Sequence, residues 1–113
     1  MTKNRRELGD DFEDRIIEKL GPGFSKTPGS GSVFKNGDIK HRNLVVECKF
    51  RSDDSSLTMP KKEYEKLYNE ANKQGKDWLY IKQINKSTKP FIVMDLDTFL
   101  EMTEAWREKY SYY

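Results

Sequence analysis

Apolar residues along the chain follow two different periods. Between Arg5 and Leu20 they recur at helical spacing, with Leu8, Phe12, Ile16, Ile17 and Leu20 on one face. Asn4 and Glu7 stand where a capping box would start this helix, and Gly21-Pro22-Gly23 ends it. From Asn43 to Phe50 the period changes to two. Leu44, Val46, Cys48 and Phe50 then share one face of a strand, and Glu47 and Lys49 share the other. Residues 24–36 read as a loop around Pro28-Gly29-Ser30-Gly31-Ser32, and 52–56 as a polar loop. A second helix is predicted from Pro60 to Gln74, with Tyr64, Leu67, Tyr68 and Ala71 as its apolar stripe and Gly75 as its C-terminal cap. Strands follow over Trp78–Ile84 and Pro90–Met94. A last helix, capped by Asp95 or Asp97, runs to about Lys109 with Phe99, Met102, Trp106 and Tyr110 on one side. The order α-β-β-α-β-β-α predicts an α/β fold, a mixed β-sheet flanked by helices in a single domain spanning 1–113.

The polar side of the 43–50 strand is where chemistry enters. A hairpin with an even loop centred on Arg42-Asn43 sets Ile39 opposite Val46 and Asp38 opposite Glu47, so Asp38, Glu47 and Lys49 meet on one face. Two carboxylates side by side repel unless a cation lies between them, and hard oxygen ligands favour Mg²⁺ or Mn²⁺. Lys49 would orient an attacking water or offset charge at phosphorus. The plainer reading is a surface Glu–Lys pair on a half-exposed strand, with Asp38 in a turn. Glu13 adds a second anomaly, since it falls inside the apolar arc of the first helix beside Gly9. A carboxylate there is paired, binds a metal, or lies at the rim and reaches solvent. The 24–36 loop offers hydroxyls and N–H groups to a phosphate, but it lacks the Lys-Ser/Thr of a nucleotide-binding loop, which excludes ATP binding of that kind. His41 reads as a surface turn residue.

Composition limits the remaining choices. The chain has 113 residues, 35% of them charged, and a net charge of +2. The positive charge is local: Lys3, Arg5 and Arg6 form one basic cluster, and Lys61, Lys62 and Lys66 another. Either is a solvated face or an anion-binding surface. No run of membrane-spanning length and no signal peptide is visible. A single cysteine excludes an intrachain disulfide and fits a reducing compartment.

Asp38 followed by Glu47-Cys48-Lys49 resembles the D…ExK signature of the PD-(D/E)xK nucleases, with Gly37 where Pro is usual. The Gly9…Glu13 pair, Lys26 and Gly29-Ser30 extend the likeness to the archaeal and phage Holliday-junction resolvases over about residues 8 to 100. Asp14 stands where that family often has Arg. The resemblance implies a restriction-endonuclease-like fold and cleavage of four-way junctions by paired nicks from a homodimer. It implies Mg²⁺ (or Mn²⁺) held by Glu13, Asp38, Glu47 and the carbonyl of Cys48, with catalytic help from Lys49. Ser30 or Ser32 would lie near the scissile phosphate. It also implies action in the cytoplasm, of a cell or of a phage's host. Competing readings are a flap or single-strand nuclease using the same residues, a DNA-binding module, and an interaction domain built on Trp106, Tyr110, Tyr112 and Tyr113, although a terminal helix packed on its own core is the simpler expectation there.

Overall fold

The computed structural model describes residues 5–27, 38–53, 55–85 and 87–111. In chain order the elements are α1 (Arg5–Leu20), β1 (Ser25–Lys26), β2 (Ile39–Lys40), β3 (Leu44–Phe50), α2 (Lys61–Gln74), β4 (Asp77–Gln83), β5 (Phe91–Met94), α3 (Leu96–Met102) and α4 (Glu104–Lys109). The strands lie in the order β1-β2-β3-β4-β5, antiparallel except for β3 against β4. That parallel pair is joined through α2, as a parallel connection requires.

β3 and β4 form the centre, and both their faces are covered. On one face α1 sets Phe12 and Ile16 against Ile39, Leu44, Val46, Cys48, Leu79 and Ile81. On the other, Leu67 and Ala71 of α2 pack on Val45, Trp78 and Tyr80. Val45 and Val46 are adjacent and both 0% exposed, which only a strand buried on two sides allows. The sequence pattern identified the first face but not Val45's membership of the second. The hairpin register is the expected one, with Ile39 opposite Val46 and Lys40 opposite Val45. α2 ends where Gly75 takes a left-handed conformation (φ 64°), and the N–H of Lys76 then donates to the Ala71 carbonyl at 3.0 Å.

Three expectations change. The 24–36 loop contributes a two-residue strand, β1, on the outer edge of β2. Tyr64 and Tyr68 of the predicted α2 stripe remain 39% and 40% exposed, so only Leu67 and Ala71 reach the core. The last helix is broken at Thr103 (φ −103°, ψ 9°), whose hydroxyl bonds back to the Phe99 carbonyl at 2.6 Å, a local bond that competes with regular helix. It does not pack on its own core as expected. Phe99, Met102, Trp106 and Tyr110 are 43–63% exposed, and Leu96, Leu100 and Ile92 of β5 are exposed as well. Among the described residues no helix is long and apolar enough to cross a membrane.

Candidate active site

The site forms where the β2–β3 ladder ends. Pairing stops at Ile39, and Asp38 lies one residue outside it. The Asp38 N–H still donates to the Val46 carbonyl at 2.9 Å, and its Oδ2 accepts the next edge amide, that of Cys48, at 2.9 Å. A carboxylate thus takes the place of a neighbouring strand's carbonyl. Within a strand, the N–H and C=O of one residue point to the same edge. The Cys48 carbonyl is therefore directed toward the Asp38 side.

Alternation then distributes the other side chains. Glu47 has the parity of Val45 and faces α2, and Lys49 Nζ lies 3.2 Å from Glu47 Oε1. Glu13 approaches from α1, on the opposite face of β3. The result is two clefts separated by the β3 edge. The first, about 240 Å³, includes Gly9, Glu13, Asp38, Cys48, Lys49 and Arg51 in its lining. The second, about 160 Å³, is lined by Glu47, Lys49 and residues of α2. Asp38 and Glu47 were expected on one face; they meet instead across the edge, because Asp38 lies outside the ladder and strand alternation does not govern it. Lys49 lines both clefts.

Electrostatics ties the three carboxylates together. Burial first, and then the charge of Asp38, push the Glu13 carboxyl up from 4.5 to about 7, against the opposing pull of Lys26. Burial and Asp38 also raise Glu47, in spite of Lys49 beside it. Burial drives the Cys48 thiol upward as well, so it is a protonated core group rather than a nucleophile. Glu13 is 8% exposed, and its Oε2 has no hydrogen-bond partner. Lys26 Nζ is 3.7 Å from that oxygen and 3.5 Å from Asp10 and Asp14 carboxylate oxygens, so its charge is shared among three acids.

The donors at this edge are of the hard-oxygen kind that a divalent cation takes. An orphaned buried carboxylate oxygen, two further carboxylates that raise or share its charge, and a carbonyl aimed at the same edge are hard donors in need of positive charge. Among the described residues no three acidic, His or Cys side chains stand close enough to enclose an ion by themselves. Ser30 and Ser32, with Gly29 and Gly37, lie outside the described residues, as do the Asn4 cap and Lys3. Two site features were not anticipated. Arg51 lines the first cleft and pairs with Glu63 at 3.7 Å, a role signalled only by its spacing of two from Lys49. Lys82, opposite Lys49 in the parallel register, is 1% exposed and donates to the Thr58 carbonyl at 2.8 Å. A lysine within the mostly apolar 78–84 run was its signal.

Gly9 borders the first cleft, and a Cβ built there would meet nothing within 4 Å. Gly9→Ala should therefore raise stability by about 1 kcal/mol through helix propensity. A thermal melt checks this, and unchanged or lower stability would mean that the helix is strained at this position.

A five-stranded mixed sheet with helices on both faces and acidic groups at the end of a hairpin ladder is the α/β architecture that the resemblance to the junction resolvases implies. Among solved structures the chain is similar to Hjc, a Holliday junction resolvase from the archaeal hyperthermophile Archaeoglobus fulgidus, with a TM-score of 0.57, 24% identity and 76% of each chain covered. That likeness establishes the fold. No protein-family profile and no curated protein matches the sequence.

Proposed function

We propose that the protein is a metal-dependent endodeoxyribonuclease that resolves four-way DNA junctions by paired symmetric nicks. The observation that carries this reading is the end of the β2–β3 ladder, where the Asp38 carboxylate replaces a strand and stands between Glu13 and Glu47, with Lys49 at the rim of both clefts. The resolvase-like fold supports it. Glu13, Asp38, Glu47 and the Cys48 carbonyl would hold Mg²⁺, or Mn²⁺ in its place. When bound, the ion supplies charge neutralisation at the phosphate and lowers the pKa of water. Asp38 also fixes the edge of β3 through the Cys48 amide, which keeps the Glu47–Lys49 segment in place. Lys49, held 3.2 Å from Glu47, presents its ammonium to the reacting phosphate. Glu13, whose carboxyl is raised by burial to about 7, would hold its proton part of the time at physiological pH and release it when positive charge arrives. Ser30 or Ser32 would approach the same phosphate.

Two symmetric nicks call for a two-fold dimer, in which one patch is used twice. The exposed apolar side chains of α3, α4 and β5 support assembly, since monomers rarely leave many large apolar groups to water in one region. The reading places the protein in the cytoplasm of a cell or of a phage's host.

The test is incubation with Mg²⁺ and matched four-way, flap and linear DNAs. Paired nicks in the junction are expected, together with tighter binding of the junction than of linear duplex and affinity that falls steeply with salt. Equal cleavage of flaps or single strands would move the reading to a broader structure-selective nuclease. No metal-dependent cleavage of any substrate would remove it.

A further inference from the structure

The second cleft opens between β3 and α2, on the face away from α1. Its walls carry three lysines, Lys49, Lys62 and Lys66, and three glutamates, Glu47, Glu63 and Glu70. The balance is less even than this count suggests. Glu47 is committed to Lys49 at 3.2 Å. Glu63 accepts the buried Tyr80 hydroxyl on one oxygen, at 2.5 Å, and stands 3.7 Å from Arg51 on the other. Glu70, and the more distant charge of Glu47 on Lys66, remain against two ammonium groups that no carboxylate pairs directly.

Those two ammonium groups are placed at a cost. Lys62 and Lys66 are four residues apart on one side of α2, a spacing at which like charges disfavour a helix. Lys62 also lies in the first turn, where the helix dipole disfavours positive charge. Pro60 at the N-cap offers no side-chain bond to the first N–H groups. Carboxylates at helical spacing are available in sequence, yet Glu65 pairs with Lys61 at 3.7 Å, on the solvent side. Among the described residues, neither Lys62 nor Lys66 is in an ion pair. An anion in the cleft would relieve the lysine–lysine repulsion and offset the dipole conflict at Lys62.

We infer that Lys62 and Lys66 form a subsite for a second backbone phosphate, next to the one attacked at Lys49. The inference rests on the phosphodiester-cleaving reading of the β3 edge. Lys49 lines both clefts, so a strand crossing that edge with one phosphate at Lys49 carries a neighbouring phosphate over the α2 wall. The contact is to the backbone and reads no base, so it fixes the path of the strand and not its sequence. It also gives the basic 61–66 cluster a divided role: Lys61 belongs to the solvated surface, whereas Lys62 and Lys66 belong to the substrate.

The experiment measures binding of the full chain to a four-way junction and to duplex in EDTA, over a range of salt concentrations. Lys62→Gln/Lys66→Gln is compared with Lys61→Gln/Lys73→Gln on the same helix. The slope of log affinity against log salt should fall by about 0.9 for each subsite lysine removed and stay at the wild-type value in the control pair. The subsite variant should melt close to wild type, because the lysine–lysine repulsion and dipole conflict it relieves offset the weak attraction of Glu70 and Glu47 that it loses. In a second arm, single linkages around the branch point are neutralised one at a time as methylphosphonates. One of them should weaken wild-type binding several-fold and leave the subsite variant unaffected. An unchanged slope, an equal fall in the control pair, or the absence of any such linkage overturns the subsite while leaving the nuclease reading in place. A wild-type protein that binds no DNA overturns both.

Discussion

Asp38→Asn and Glu47→Gln are each expected to lose cleavage by about 10³-fold or more while binding DNA as well as wild type or better. Removing negative charge beside a phosphate path cannot weaken electrostatic attraction. It does remove the oxygen charge that would hold a divalent cation. The choice of substituent matters at Asp38. Asn keeps a carbonyl oxygen that can accept the Cys48 N–H, so the edge of β3 stays in place and the loss reports on chemistry. Ala would leave that amide without its partner and mix a folding defect, on the order of 1 kcal/mol or more, into the result. Glu47→Gln retains volume on the α2 face and releases Lys49 from its carboxylate. The check is a cleavage assay beside a binding assay on the same preparation, with a thermal melt. Full activity in either variant would show that the edge is not the reacting centre.

The second large effect is at Glu13. Glu13→Gln is expected to lose most cleavage activity and yet to be more stable than wild type in the absence of metal. The sign follows from the raised carboxyl. At low pH, below the ordinary value of 4.5, folded and unfolded chains both hold the proton and Glu13 makes no difference. Between 4.5 and about 7 the unfolded chain gives up its proton more readily, so wild-type stability falls as pH rises. Above about 7 the folded protein carries the full cost of a buried carboxylate, about 3 kcal/mol. The stabilisation by Gln should therefore be largest near pH 8 and fade toward pH 4.5. Mg²⁺ or Mn²⁺ should raise the wild-type melting temperature by linkage and raise the variant's less. Equal activity and an equal metal response would leave the buried Glu13 outside any metal site and make α1 a structural cover for the sheet.

These two expectations rest on parts of the chain that were unequally legible. The hairpin could be read because an even loop leaves only one register that buries Ile39 with Val46. Glu13 could be read because a charge inside a helical apolar arc has few explanations. Its position relative to Glu47 could not. Alternation separates two faces of a strand, but it does not say that the polar-looking face is also covered, and Val45 carried too little signal to reveal α2 behind it. Nor does alternation extend past the last ladder pair, which is why Asp38 joins the cleft of Glu13 rather than that of Glu47. The C-terminal helix failed differently. Phe99, Met102, Trp106 and Tyr110 do share a helical period, but period shows that a face is apolar and is silent on what covers it. Lys82 and Arg51 were visible as charges in or beside strands, but their importance depends on the β3–β4 register, a long-range pairing.

The interrupted ladder has a consequence for solubility. A strand edge that offers free N–H and C=O groups is a template on which another chain can add, and β3 is otherwise as apolar as an aggregating segment. Past Ile39 the first amide it would offer is already occupied by Asp38, and Glu47 and Lys49 set opposite charges along the same stretch. The groups assigned to phosphate chemistry therefore also act as gatekeepers against strand addition. Exchanging them for apolar isosteres would do more than remove the proposed chemistry: it would expose an apolar β edge, and the protein would be prone to self-association through that edge.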